Sequence, residues 1–204
     1  MKNELKNRLP LMEQFYSLQG EGRYSGRPAV FIRLAGCDVG CSWCDVKESW
    51  DENEHPLVPL QKIVDDVLVT GCNFVVITGG EPTLYDLSKL TSLLKDNNIE
   101  IAIETSGTNS LKGNFDWVTF SPKKFKKPIN EYYSCSDELK VVVFHSSDLR
   151  WAQKHAVKLE NNCDCYLQPE WSKKDELMPL ILDFIKANPR WKLSLQTHKF
   201  IDIP

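Results

Sequence analysis

The chain has 204 residues, 42% of them hydrophobic, with a formal charge of −3. That is enough for a single domain with a real core, read here as one domain over 1–204, and too large for a small metal-stapled module. The balanced charge, with no long run of one sign, argues against nucleic acid binding as the main business. No apolar stretch approaches membrane length, and residues 1–6 contain no apolar leader core, so a cytoplasmic location is expected.

In chain order, short runs rich in Val, Ile and Phe alternate with helical patterns. Strands are predicted at 29–35, 74–78, 100–104, 117–120, 138–144, 165–168 and 192–196. Between most of them lie helical faces: Ile63, Val64, Val67 and Leu68; Leu87, Leu90, Leu93 and Leu94; Trp151, Ala152, Ala156 and Leu159; and Leu177, Leu180, Ile181, Phe184 and Ile185. This alternation implies βα units and a mostly parallel sheet, an α/β fold. The units are too few for a closed eight-stranded barrel, which needs roughly 250 residues. A partial, open (β/α) barrel is expected, its open side covered by termini or a partner.

The polar motifs follow the strands. Cys37 follows the first predicted strand, Gly79-Gly80-Glu81-Pro82 the second and Thr105-Ser106-Gly107 the third. Ser121-Pro122-Lys123 follows the fourth, Pro169-Glu170 the sixth and Thr197-His198-Lys199 the last. In a parallel sheet these positions share the carboxyl edge, where α/β enzymes build their sites.

Seven cysteines are present, at 37, 41, 44, 72, 135, 163 and 165. An odd number with three clustered fits a reducing compartment better than a disulfide framework. Cys72, Cys135, Cys163 and Cys165 lie in or beside apolar segments and read as small buried hydrophobes. Cys37, Cys41 and Cys44 are spaced C-x3-C-x2-C. Three thiolates can hold a cubane iron–sulfur cluster at three irons and leave the fourth open for a ligand. A closed zinc site would need a fourth ligand, and no second C-x2-C pair supplies one. Gly36 and Gly40 suit a tight loop. A zinc-binding module without catalysis is the competing reading, separable by metal analysis.

C-x3-C-x2-C with Trp43 before the last cysteine resembles the radical S-adenosylmethionine (SAM) superfamily, and Gly79-Gly80-Glu81-Pro82 resembles its second motif. Residues 15–22, Phe-Tyr-Ser-Leu-Gln-Gly-Glu-Gly, lead into Pro28-Ala29-Val30-Phe31-Ile32-Arg33-Leu34-Ala35-Gly36-Cys37, and this resembles the 7-carboxy-7-deazaguanine synthase family. Glu104-Thr105-Ser106-Gly107, Ser121-Pro122-Lys123, Gln168-Pro169-Glu170 and Gln196-Thr197-His198-Lys199 extend the likeness over nearly the whole chain.

The resemblance implies a lyase of queuosine and 7-deazapurine biosynthesis. It would convert 6-carboxy-5,6,7,8-tetrahydropterin to 7-carboxy-7-deazaguanine with loss of ammonia. An electron from the reduced [4Fe-4S] cluster would cleave SAM, and the adenosyl radical would take a hydrogen from the pterin C6 and later return it. Cys37, Cys41 and Cys44 would ligate the cluster. SAM would lie beside Trp43, Asp45, Gly80, Glu81, Thr105, Ser121, Pro122, Lys123 and Gln168. The pterin would meet Leu18, Gln19, Gly20, Glu21, Arg33, Thr78 and the terminal Pro204. Alternation places Arg33 on the face opposite Ile32 and Leu34, where its guanidinium can pair with the substrate carboxylate.

One position departs from the family pattern. A Thr or Ser whose oxygen ligates Mg2+ commonly stands two residues after the last cluster cysteine, and here it is Val46. Mg2+ demands oxygen ligands, so Asp45, water and substrate, or Lys47 as a substitute charge, would have to serve. Weaker magnesium dependence is expected. His145 and His155 read as structural or exposed, and His198 as support for the rim. The basic run 123–127 reads as a solvated loop apart from Lys123, or as the dock of a flavodoxin- or ferredoxin-like electron donor. The resemblance also implies a homodimer. A small radical SAM activase of glycyl-radical enzymes is the alternative function; the segment 18–22 argues against it.

Overall fold

The computed structural model describes residues 7–160 and 162–204, so the reading of residues 1–6 lies outside the described residues. In chain order the strands are β1 (Arg8–Leu18), β2 (Pro28–Leu34), β3 (Leu57–Pro59), β4 (Phe74–Gly79), β5 (Glu100–Thr105), β6 (Trp117–Phe120), β7 (Glu138–Val143), β8 (Asp164–Pro169) and β9 (Trp191–Leu193). The helices are α1 (Leu60–Val69), α2 (Ser88–Lys95), α3 (Tyr132–Cys135), α4 (Ser147–Ala156), α5 (Lys174–Ala187) and α6 (Thr197–Ile201). The strands form one sheet in the order β3-β1-β2-β4-β5-β6-β7-β8-β9. From β2 to β9 every pairing is parallel, while β1 runs antiparallel to both β2 and β3. The edge strands β3 and β9 do not meet, so the barrel is partial and open, as the alternation of elements requires.

The seven strands expected from sequence are all present, and β1 and β3 are additional. Alternation along β2 separates two layers. Val30, Ile32 and Leu34 face outward into the main core with Ile77, Ile103, Phe120, Val141 and Leu167 and the helices. Ala29 and Phe31 face inward with Phe74, Val76 and Ala102. The helical faces hold with two corrections. Leu68 is 41% exposed, because it sits about a quarter turn from the centre of the buried stripe of Leu60, Ile63, Val64 and Val67. Leu180 is 40% exposed, at the edge of the stripe centred on Leu177 and Ile181. No helix among the described residues is long and apolar enough to cross a membrane.

The inner face is closed at the amino ends of the strands by the chain itself. Residues 19–27 leave β1, cross beneath β5 to β8 and reach β9. Tyr24 packs on Phe74 and Trp117, with ring centroids 4.9 and 5.4 Å apart. Arg27 makes a bidentate pair with Glu100 at 2.9 and 2.5 Å. Gly22 N donates to Ser194 Oγ at 2.9 Å, and the Gly20 carbonyl accepts from Thr197 N and Oγ1, both at 2.9 Å. The segment most specific to the family in sequence is thus the floor of the half-barrel.

Glu138 is buried in this floor, accepting from Arg23 N at 3.1 Å and Trp117 Nε1 at 3.2 Å. Burial outweighs these donors and the nearby Lys140 charge, and pushes its carboxyl up from 4.5 to about 7. Below 4.5 it is protonated whether the chain is folded or not, and burial of the charge costs nothing. Between 4.5 and 7 only the unfolded chain releases the proton, so stability falls as pH rises, and above about 7 the loss is complete. Glu138→Gln keeps an acceptor for both donors. It is expected to flatten this slope and to gain up to about 3 kcal/mol at pH 8 relative to pH 4. Denaturant unfolding at the two pH values checks it; identical slopes in wild type and variant would refute it.

Candidate active site

The polar motifs at the carboxyl ends of the strands surround one cavity of about 270 Å³. Its upper wall is the loop after β2. Gly36 and Gly40 have φ of +96° and +68°, a conformation that costs a residue with Cβ, and they turn the chain twice within the cysteine motif. Cys37, Cys41 and Cys44 all line the cavity. Among the described residues no three His, Cys, Asp or Glu side chains gather tightly enough for a single metal ion. Three thiols on one loop are the ligand set of a cubane cluster, in which each thiolate would take a different iron. Cys41 is buried, which pushes its thiol up to about 11 despite the nearby Lys123 ammonium.

The Gly79-Gly80-Glu81-Pro82 loop after β4 is stitched to the start of the cysteine loop. Gly80 N donates to the Leu34 carbonyl at 3.0 Å and Glu81 N to the Gly36 carbonyl at 2.8 Å. A Cβ on Gly80 would sit 2.3 Å from Gly36 O and 2.8 Å from Cys37 Cβ, so only glycine lets the two loops touch. Glu81 is 1% exposed and faces five donors. Its Oε1 accepts from Thr83 N (3.1 Å), Thr83 Oγ1 (2.6 Å) and Thr105 Oγ1 (2.5 Å). Its Oε2 accepts from Ser106 N at 2.7 Å and from Ser106 Oγ. The carboxylate thereby ties the loop after β4 to the loop after β5. The link continues from Ser106 through Thr108 to Asp38, which also accepts from Asn109 Nδ2 at 2.9 Å and Lys126 Nζ at 2.5 Å.

Lys123 points back from the loop after β6, donating to Ser121 O at 2.7 Å and Ser121 Oγ at 2.6 Å, with Nζ 5.9 Å from the Trp43 ring centroid. Burial lowers its pKa, while the neighbouring Cys41 and Glu81 oppose that shift. Trp50 also lines the cavity, and its indole N–H is buried with no partner among the described residues.

The lower part of the cavity is built by Leu18, Gln19, Gly20, Glu21, Arg33, Thr78 and Pro204. Arg33 and Thr78 are register partners on β2 and β4, so both point inward. Arg33 uses Nε to pair with Glu13 at 2.6 Å, and the residue also lines the cavity. Phe15 and Phe31 stack beside it, 5.0 Å apart at 11°, and give a flat apolar wall. Pro204 accepts from Ser17 Oγ at 2.9 Å through its carbonyl.

Of the residues expected to surround SAM, Trp43, Asp45, Gly80, Glu81, Thr105, Ser121, Lys123 and Gln168 line the cavity. Pro122 does not, being buried behind Ser121. Val46 lines the cavity with an apolar side chain, and its carbonyl accepts from Ser49 Oγ at 2.7 Å. Lys47 is not part of the cavity wall; its Nζ lies over the Trp50 ring, 5.9 Å from the centroid. The cation beside Asp45 is Lys199, with Nζ 2.6 Å from Oδ2. The basic run is also less free than its sequence implies, since Lys124 pairs with Asp148 and Lys126 with Asp38. His155 is buried against Tyr133 and Trp151, and His145 is exposed. His198 lines the cavity.

Sequence reasoning quoted Glu104 and Gln196 in family-like stretches without a site role, and missed Lys140 and Trp171; all four stand on the cavity wall. Lys140 is the most consequential. Its ammonium lies 2.5 Å from Glu21 Oε2 and 2.6 Å from Glu104 Oε2, with its side chain 3% exposed. The signal was available, because Lys140 alternates with Leu139 and Val141 as Arg33 alternates with Ile32 and Leu34.

A cysteine loop clamped to a Gly-Gly-Glu-Pro loop at the carboxyl edge of an open parallel barrel defines a class, and residues 31–133 match the model of the radical SAM superfamily. The relatives are narrower. A 7-carboxy-7-deazaguanine synthase from Flavobacterium psychrophilum is 47% identical over 96% of this chain and 93% of its own length. That of Synechocystis sp. is 43% identical over 95% and 93%. That of Escherichia coli K12 is 37% identical over 95% and 98%. The crystal structure of QueE from Escherichia coli superposes with a TM-score of 0.83 at 33% identity, covering 94% of this chain and 95% of that one. The chain belongs to the 7-carboxy-7-deazaguanine synthase family within the radical SAM superfamily.

Proposed function

We infer that the chain converts 6-carboxy-5,6,7,8-tetrahydropterin to 7-carboxy-7-deazaguanine with loss of ammonia. The observation that carries this is a single cavity with two chemically distinct ends. One end has three thiols, Gly79, Gly80 and Glu81, and a half-buried lysine, Lys123. The other has a guanidinium, a carboxylate and a stacked aromatic wall. The alternative as a glycyl-radical activase is not favoured, since the full-length relatives carry the synthase name.

Cys37, Cys41 and Cys44 would hold the [4Fe-4S] cluster. Trp43, Asp45, Gly80, Glu81, Thr105, Ser121, Lys123 and Gln168 would border SAM. Together the cluster and SAM would supply hydrogen-atom abstraction from the pterin C6. The chain's own residues bind and orient. Arg33 offers the guanidinium that suits a carboxylate, and Phe15 and Phe31 offer a face for a planar ring. Gln19, Gly20 and Glu21 offer acceptors to its N–H edge, while Leu18, Thr78 and Pro204 enclose it. Lys123 brings a positive charge to the end where thiolates and the SAM carboxylate would gather. An electron donor of flavodoxin or ferredoxin type and a homodimer remain part of the proposal by analogy with the family.

Magnesium has a weaker place here. Val46 offers no side-chain oxygen, and Asp45 is already paired with Lys199. Anaerobic turnover of reconstituted protein with reductant, SAM and 6-carboxytetrahydropterin tests both statements. The deazaguanine product is expected, at a rate little changed by a chelator that removes Mg2+. Absence of product overturns the function, and product that strictly requires added Mg2+ overturns the magnesium reading alone.

A further inference from the structure

The buried ion cluster at the bottom of the cavity is not needed to hold cluster or SAM, and it is a costly thing to build. Three charged side chains meet there, Lys140 almost wholly buried and Glu21 and Glu104 largely so. Removing charges from water is unfavourable unless each is fully partnered, and an apolar replacement is often as stable. Here the partnering is symmetrical. Each carboxylate gives one oxygen to Lys140 and the other to a glutamine amide: Glu104 Oε1 accepts from Gln19 Nε2 at 3.0 Å, and Glu21 Oε1 from Gln196 Nε2 at 2.9 Å. Gln19 is itself fixed, because its Oε1 accepts from Glu21 N at 3.1 Å. All five residues line the cavity or its floor, and the trio carries a net negative charge toward it.

Resting on the pterin reading above, we propose that Lys140 is a positioning residue that holds Glu21 and Glu104 as a fixed pair of acceptors, and that this pair selects the 2-amino-4-oxopyrimidine edge of the substrate. Such an edge presents adjacent N–H donors, and a carboxylate retains free lone pairs after one bond at each oxygen. Lys140 reaches neither end of the substrate by this account. It neutralises one of two carboxylates that would otherwise repel each other, and sets where both point. Its charge is the main favourable influence that brings Glu21 down to about 2 against the opposing effect of burial. The two carboxylates in turn, with Glu138, raise the pKa of Lys140 against its own burial.

Other charged groups face the cluster. Glu138 lies on the same face of β7, two residues away; His198 approaches Glu21 from α6; Lys123 approaches from the loop after β6. All three feel the Lys140 charge, and Glu138 titrates near 7, so the wild-type and Lys140→Met curves are both measured in a Glu138→Gln background, which removes the carboxyl that would titrate in the same window.

The test is direct binding of 6-carboxypterin, the aromatic analogue that has no hydrogen at C6 and cannot turn over. Its Kd is followed by calorimetry from about pH 5.5 to 7.5, a window in which ordinary carboxylates stay ionised. Wild type is expected to change little. Lys140→Met is expected to bind roughly tenfold or more weakly at the acid end and to recover as pH rises, because the two crowded carboxylates now take up a shared proton. Lys140→Arg restores part of the loss. A Lys140→Met curve that overlays wild type, or is weaker by one constant factor at every pH, overturns the inference. If Lys140→Met does not fold, Glu104→Gln leaves the Lys140–Glu21 pair in place. Wild type is expected to prefer 6-carboxypterin over 6-carboxylumazine, which has a carbonyl in place of the 2-amino group. That preference should shrink about tenfold in Glu104→Gln, and an unchanged preference also overturns the inference. Wild type that binds no 6-carboxypterin at any pH overturns the pterin reading itself.

Discussion

Protein with Cys41→Ser is expected to emerge from anaerobic reconstitution without its broad visible absorption and to cleave SAM only at background. Serine is nearly isosteric, so the fold has no reason to change. Cys41 is a buried side chain in a loop held by Gly36 N to Ser49 O at 2.7 Å and Cys37 N to Trp50 O at 3.2 Å. What changes is the ligand. A hydroxyl gives up its proton far less readily than a thiol, and iron–sulfur clusters are held by thiolates. Cys72→Ser is the matching control. Cys72 lies outside the cavity, with its thiol 3.4 Å from the Phe74 carbonyl, and its loss should leave iron content and SAM cleavage intact. Iron and sulfide analysis with SAM cleavage in both variants decides the matter. A Cys41→Ser protein that retains a full cluster would remove this cysteine from the ligand set.

The contrast between these two cysteines was legible in the sequence, and so was most of the sheet. Strands such as Phe74–Gly79 and Glu138–Val143 are buried on both faces, and their apolar runs have no other good explanation. β1 was not legible. It contains Pro10, its apolar residues are interrupted by Glu13 and Gln14, and its register shifts between Leu11 and Glu13. Such an irregularity breaks the period of two on which strand reading depends. β3 is three residues long and pairs only with β1, so it carries no pattern of its own.

At the site, motifs contiguous in sequence were found and dispersed ones were not. The cysteine loop and Gly79–Pro82 announce themselves by residue type and spacing. Glu104 and Lys140 lie on different strands, 36 residues apart, and their meaning depends on both pointing into the same half-barrel. Alternation places each on the inner face, but the sequence does not say which inner-facing charges become neighbours. Asp45 shows the same limit. Lys47 is near it in sequence, yet its charged neighbour in space is Lys199.

Glu81 turns this distinction between motif and partner into a measurable quantity. In sequence it is the acidic member of a Gly-Gly-Glu-Pro turn and invites reading as a direct ligand. In the structure its two oxygens accept from two backbone N–H groups and three hydroxyls. Glu81→Ala strands the buried N–H groups of Thr83 and Ser106. Hydrogen bonds to charged groups are worth about 1.5–3 kcal/mol each, so a loss of roughly 3–5 kcal/mol of stability is expected. Glu81→Gln should cost less but not nothing, because its amide nitrogen must face at least one donor that cannot reverse. SAM affinity should fall in step with stability, since the loops after β4 and β5 lose their common anchor. Denaturant unfolding and SAM binding by calorimetry measure the two effects. A Glu81→Ala protein of wild-type stability that fails to bind SAM would make the carboxylate a direct ligand. Parallel loss of both would make it the clasp on which the SAM end of the cavity is built.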